Sequence, residues 1–210
     1  MKSILRKSAL GAFILATTAF SQAAVTLQII SDNDFAVFVG TSTGVTRLIY
    51  QNDVSWSAQV SAAGSFAFDF EPGETSIYLL AMGGGGPENI GGMMNGVDLT
   101  TIDVAQSSNL SGSLANYATS GSALDSGTYS VTFNEVSAAV PGLTWGGVSV
   151  TDNGVGTFVT GNAFEHAESS AVIYRFSAAD IGVIVPAVPE PSVTLLGLAT
   201  ALVLVTLRRR

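Results

Sequence analysis

Through the middle of the chain, apolar residues recur at a spacing of two and are cut by turn residues at short intervals. Val54, Trp56, Ala58 and Val60 are separated by Ser55, Ser57 and Gln59, the signature of a half-buried strand. Phe66, Phe68 and Phe70 alternate with Ala67 and Asp69 in the same way. Further strands are predicted over 25–31, 35–39, 45–50, 97–104, 148–150, 157–160 and 171–176, with 76–82 a more continuous apolar run. Tyr129, Val131 and Phe133 predict one more. Turns are expected at Asp32-Asn33-Asp34 and at Glu71-Pro72-Gly73-Glu74. Gly83 to Gly86 and Gly91-Gly92 read as one flexible loop, and the Ser-, Ala- and Gly-rich stretch 105–127 as a long loop or a short helix. Short strands at such spacing predict an all-β, antiparallel β-sandwich rather than βαβ units. No internal repeat of 20–50 residues is visible.

Two apolar runs do not fit that period, and they bracket the rest. Near the start, Lys2, Arg6 and Lys7 precede an apolar run from Ala9 to Phe20 and a small-x-small site, Ser21-Gln22-Ala23. This predicts a secretory signal peptide over 1–23, cut between Ala23 and Ala24. At the other end, residues 192–207 carry no charge over 16 positions. As a helix that run would be about 24 Å long, short for a hydrocarbon core of about 30 Å but usable with snorkelling arginines and slight thinning. Pro189 and Pro191 set its start near Ser192, and Arg208, Arg209 and Arg210 hold its end in the cytoplasm. The expected layout is a signal peptide (1–23), a β-sandwich ectodomain (24–185), a Pro-rich linker (186–191), a single C-terminal transmembrane helix (192–207) and a basic tail (208–210).

Val188-Pro189-Glu190-Pro191, an apolar helix and Arg208-Arg209-Arg210, in that order at the C-terminus, resemble the PEP-CTERM sorting signal of Gram-negative bacteria. The match covers residues 188–210. The resemblance implies passage through the Sec translocon, cutting by signal peptidase, and recognition and cleavage of the tail by an exosortase. It further implies an inner-membrane-anchored precursor and delivery to the cell surface or exopolysaccharide matrix. A second resemblance runs over about 28–103. The Asp32-Asn33-Asp34 turn into a strand with alternating core residues, then Trp56, Phe66 to Phe70, Pro72-Gly73 and Ile77 to Ala81, is similar to the galactose-binding-like jelly roll. It departs from that pattern at Gly40, where such domains often place an Asn-Gly turn. It implies a jelly-roll-like sandwich and, weakly, sugar binding.

Charge sharpens this. Outside the two signals only Arg47 and Arg175 are basic, whereas 15 of the 16 acidic residues lie there, all but Glu190, leaving a formal charge near −13. Such a surface repels nucleic acid and anionic lipid. The chain has no cysteine, so disulfides, Cys-zinc sites and thiol nucleophiles are excluded.

The chemistry-bearing residues are sparse. Asp32, Asn33 and Asp34 carry oxygens of the kind Ca²⁺ takes, but the remaining ligands and spaced Glu of an EF-hand are missing, so an Asx turn is preferred. Gly83 to Gly86 lacks the Lys-Ser/Thr of a phosphate loop. His166 is the single histidine, flanked by Glu165 and Glu168, with no HExxH and no Gly-x-Ser-x-Gly in the chain; a surface histidine in a loop before the strand at Ala171 is preferred. Trp56 and Trp145 are core residues or sugar-stacking platforms, core being preferred. The expectation is therefore a non-catalytic surface or matrix protein, structural or exopolysaccharide-adhesive, needing no cofactor and no metal. The competing class is an extracellular polysaccharide hydrolase built on a carboxylate pair.

Overall fold

The structure, a computed structural model, describes residues 24–31, 34–52, 54, 58–59, 64–83, 88–108, 110, 114, 131–151, 163–166 and 171–186. These form two antiparallel sheets packed face to face. The first runs β10 (Ser149–Thr151), β11 (Ala163–His166), β6 (Glu88–Met94), β1 (Val25–Ser31) and β4 (Gly64–Phe68), with β7 (Val97–Asp98) also paired to β6. The second runs β3 (Gly44–Gln51), β2 (Asp34–Thr41), β5 (Ser76–Met82), β12 (Ala171–Ser177), β8 (Val104–Ser107) and β9 (Trp145–Gly146). The sandwich expected from the period-two pattern is therefore present.

Val25, Leu27 and Ile29 of β1 face Phe35, Val37 and Val39 of β2, Ile77 and Leu79 of β5, and Tyr174 and Phe176 of β12 across the core. Each such side chain, fully withdrawn from water, contributes about 1.5–3 kcal/mol of transfer free energy. Aromatic rings bridge the layers on both flanks. Tyr50 of β3 stacks between Phe35 (5.6 Å) and Phe66 of β4 (4.4 Å), while Phe164 of β11 stacks on Tyr174 (4.9 Å).

Strands β2 and β5 are buried along almost their whole length, because the second sheet is covered on both faces. Ala36, Phe38, Leu80, Met82 and Ile173 point away from the first sheet and pack under a short helix, α1 (Phe133–Ala139). Here the structure departs from the strand expected at Phe133. Thr132 and Glu135 form a capping box: the Glu135 N–H donates to Thr132 Oγ1 (3.3 Å) and the Thr132 N–H to Glu135 Oε2 (2.8 Å). Phe133, Val136 and Val140 then fall on one helical face, and Pro141 closes the element in a 3-10 turn. Tyr129 lies outside the described residues.

Four other expectations are corrected. Gly91-Gly92 is mid-strand in β6, opposite Ile30 and Ile29 of β1, rather than in a loop. Gly92 has φ +149°, and a Cβ there would overlap the Gln28 carbonyl oxygen, so two backbones meet where a side chain would stand. The strand expected over 54–60 gives way at Ala58-Gln59 to a helical turn with its burial reversed: Ala58 is exposed, and Gln59 is buried, its Oε1 accepting from the Ser31 N–H (3.3 Å). The strand expected over 97–104 is split by a 3-10 turn, Leu99–Thr101, in which Asp98 Oδ1 accepts from the Thr100 N–H (2.8 Å). The stretch from 105 onward, expected as a long loop or a short helix, begins as strand β8, which runs to a buried Ser107. Among the described residues no helix is long and apolar enough to cross a membrane; residues 192–207, where one is expected, lie outside them.

One buried polar atom in the core leads to a prediction. The Tyr174 hydroxyl has no hydrogen-bond partner among the described residues, and burial pushes its pKa well above that of an ordinary phenol. Tyr174→Phe removes this unmet donor while keeping the ring on Phe164. It should raise stability by about 1 kcal/mol and Tm by about 3 °C in thermal melts. A drop in Tm would show that the hydroxyl has a bonding role.

Candidate functional site

Strand β12 sends Val172, Tyr174 and Phe176 into the inter-sheet core and Ile173 and Arg175 to the opposite face. Ile173 lies in the patch under α1, whereas Arg175 lies beyond it. Strand pairing sets Arg175 against Tyr78 of β5 and Ala105 of β8, and Ser107 of β8 against Trp145 of β9. Directly paired residues present their side chains on the same face, so Arg175, Tyr78, Ala105 and Trp145 share one patch of the second sheet.

The arginine in this patch is held from two directions. Its guanidinium carbon lies 4.4 Å from the centroid of the Trp145 ring, and its Nη1 donates to the Ser42 carbonyl at 2.9 Å. Tyr78 assists: its hydroxyl donates to the Thr41 carbonyl (2.5 Å), and its ring lies 6.0 Å from Trp145. Burial pushes the Tyr78 phenol above its ordinary pKa, against the opposing pull of the Arg175 cation. The β2–β3 turn, at Ser42-Thr43, is thus gripped from below by a tyrosine and an arginine.

Beside this arginine the surface dips into an open depression of about 160 Å³, lined by Asp103, Val104, Ala105, Arg175, Ser177 and Asp180. Asp103 enters from the link before β8, and Asp180 from the turn after β12, where its N–H donates to the Ser177 carbonyl (3.1 Å). Among the described residues no carboxylate lies within ion-pairing distance of Arg175. Asp103 and Asp180 are exposed, and neither side chain is engaged among the described residues. One arginine and two aspartates with no partner among the described residues therefore border the same small space.

The other arginine of the sandwich is committed to structure. Arg47 on β3 grips Glu74 in a two-pronged pair, Nε to Oε1 at 3.1 Å and Nη2 to Oε2 at 2.7 Å, and also donates to the Asp69 carbonyl. Glu74 is buried and accepts further bonds from the Glu71 N–H (2.7 Å) and the Thr46 hydroxyl (2.6 Å). Burial pushes the Glu74 carboxyl up, but Arg47, the Glu71 N–H and Thr46 outweigh it, and the net is a pKa below the ordinary carboxylate value. This clamp fixes the turn expected at 71–74 against β3.

The residues singled out from the sequence are placed as follows. Asp34 opens β2 and is fully buried, its Oδ1 accepting from the Phe35 N–H (2.8 Å); Asp32 and Asn33 lie outside the described residues. The backbone of His166 ends strand β11, paired with Glu88, instead of lying in a loop. Glu165 is exposed on the same strand, and Glu168 lies outside the described residues. Among the described residues no three acidic or histidine side chains are grouped to hold a metal ion. Trp145 is half-buried with a ring face covered by Arg175, so it works as a support for that cation. Gly83 is buried at the end of β5; Gly84 to Gly86, Trp56, Ala23, Val188, Pro189, Glu190, Pro191 and Arg208 to Arg210 lie outside the described residues, and Ala24 is an exposed residue just before β1. Asp103 and Asp180 were not distinguishable in the sequence from the other acidic residues. No family model, curated protein or solved structure matches this chain.

Proposed function

We propose that this is an exported cell-surface or exopolysaccharide-matrix protein of a Gram-negative bacterium. In this reading a signal peptide (1–23) carries it through the Sec translocon and is removed by signal peptidase. A transmembrane helix (192–207) holds the precursor in the inner membrane, and an exosortase cuts it at the Pro189-Glu190-Pro191 signal. The delivered body is a jelly-roll-like sandwich with a structural or carbohydrate-adhesive, non-catalytic role. The observation that carries this reading is the order of the terminal features: a Pro-Glu-Pro motif, an uncharged run of 16 residues and three arginines. The acidic body, with two basic side chains both held by their neighbours, accords with a polysaccharide environment and not with nucleic acid.

Replacing Pro189, Glu190 and Pro191 together by Ala should leave the precursor in the inner-membrane fraction. Surface display at the wild-type level would refute the sorting role. For the delivered body, soluble sugar released on incubation with polysaccharide would favour a hydrolase over an adhesin.

A further inference from the structure

We infer that the depression beside Arg175 is a binding site for one residue of a neutral saccharide, recognised through its hydroxyl groups. This deepens the carbohydrate-adhesive reading of the body and rests on it. It does not depend on the sorting tail.

The charge balance selects the ligand class. Two aspartates and one arginine line the space, a net charge of −1. A uronate or phosphate would meet two like charges for one opposite one. A metal cation would have to sit beside a fixed guanidinium, and no third acidic or histidine ligand is grouped with it among the described residues. A polyol suffers neither penalty. Its hydroxyls can donate to Asp103 and Asp180, and its oxygens can accept from the Arg175 nitrogens that do not bond Ser42. Such charge-assisted bonds are the stronger kind. The volume suits a single sugar ring rather than an extended chain.

Preorganisation supports the same assignment. Ordering a free arginine at a surface costs side-chain entropy at the moment of binding. Here the Trp145 ring and the Ser42 carbonyl have already fixed it. An arginine kept for stability alone would be expected to pair with a carboxylate, as Arg47 does with Glu74. In a body this acidic, the arginine at the depression is instead held by a ring and a carbonyl, while the two aspartates beside it have no partner among the described residues.

The test uses the purified full-length chain in detergent. The probes are gluco-, manno- and galacto-oligosaccharides, with oligogalacturonate and Ca²⁺ alone as the anionic and cationic arms. The expected result is binding to at least one neutral probe. That binding should weaken about tenfold in Asp103→Asn/Asp180→Asn and in Arg175→Gln. Because Arg175 also supports the β2–β3 turn, the double Asn variant is decisive: both side chains are exposed, so its melting temperature should be unchanged. Neutral-probe binding undiminished in that variant would overturn the site while leaving the adhesive reading standing. Binding confined to oligogalacturonate or Ca²⁺ would overturn the ligand class. Absence of any binding would overturn the site and the adhesive reading together, and inner-membrane retention of the Pro189, Glu190 and Pro191 variant would still report on sorting separately.

Discussion

Arg47→Met is expected to destabilise the folded protein by about 3 kcal/mol, read as a lowered urea midpoint. Deleting one partner of a buried pair leaves the other charge without compensation, and Glu74 is the buried partner. The value sits at the low end of the range for buried pairs, because Arg47 itself keeps contact with solvent and the Glu71 N–H and Thr46 hydroxyl still bond the carboxylate. Acidity gives a second reading. In the wild type the Glu74 pKa is depressed on folding, so its contribution is complete above the ordinary value of 4.5 and is lost as pH falls through the lower folded value. In the variant, burial acts on the carboxyl without the arginine, so protonation relieves the stranded charge. The stability gap should therefore narrow below about pH 4.5. A gap that stays constant with pH would show that the loss comes from the arginine's packing and not from its charge.

Gly92→Ala is expected to cost about 3 kcal/mol or more, enough to leave a marginally stable domain partly unfolded. Two effects combine. The backbone at φ +149° is strained for any residue with a Cβ, and the added methyl would overlap the Gln28 carbonyl oxygen of the neighbouring strand. Since that obstacle is backbone, relief requires β6 to move away from β1, opening the centre of the first sheet. Gly96 supplies an internal control. It occupies a tight turn with Asn95, at φ +76° and +53°, and a Cβ there meets nothing within 4 Å. Gly96→Ala should therefore cost only about 1 kcal/mol, from strain alone. Equal losses in the two variants, measured by chemical denaturation, would show that the close strand approach at Gly92 is unimportant.

These positions also show what the sequence made legible. Alternation at Phe66 and Phe68 and the turn at Glu71 to Glu74 were readable because one strand face meets solvent and Pro-Gly needs a tight bend. Strand β6 was hidden because Gly91 and Gly92 are ordinarily loop residues, whereas here close backbone approach requires glycine at Gly92. Helix α1 was hidden because Tyr129, Val131 and Phe133 happen to fall at period two; the pair Thr132 and Glu135, spaced as a capping box, was the overlooked sign. The Asn95-Gly96 turn was likewise a plain hairpin signal, strengthened by Asn95 Oδ1 accepting from the Thr26 N–H (2.9 Å). At the candidate site, Trp145 stood out by type and Arg175 by rarity. Their meeting with Asp103 and Asp180 depends on β8 and β9 joining β12, a pairing between distant segments that no local pattern encodes.

The placement of the two arginines has one more consequence. Proteases that cut after lysine or arginine have only two places to act between Lys7 and Arg208, namely Arg47 and Arg175, and the structure puts both inside paired strands. Such enzymes need an extended, detached segment, so in the folded protein these bonds become available only when a sheet opens. Trypsin-like enzymes therefore find no ready bond in the folded sheets, so cleavage by them would report on sheet opening itself.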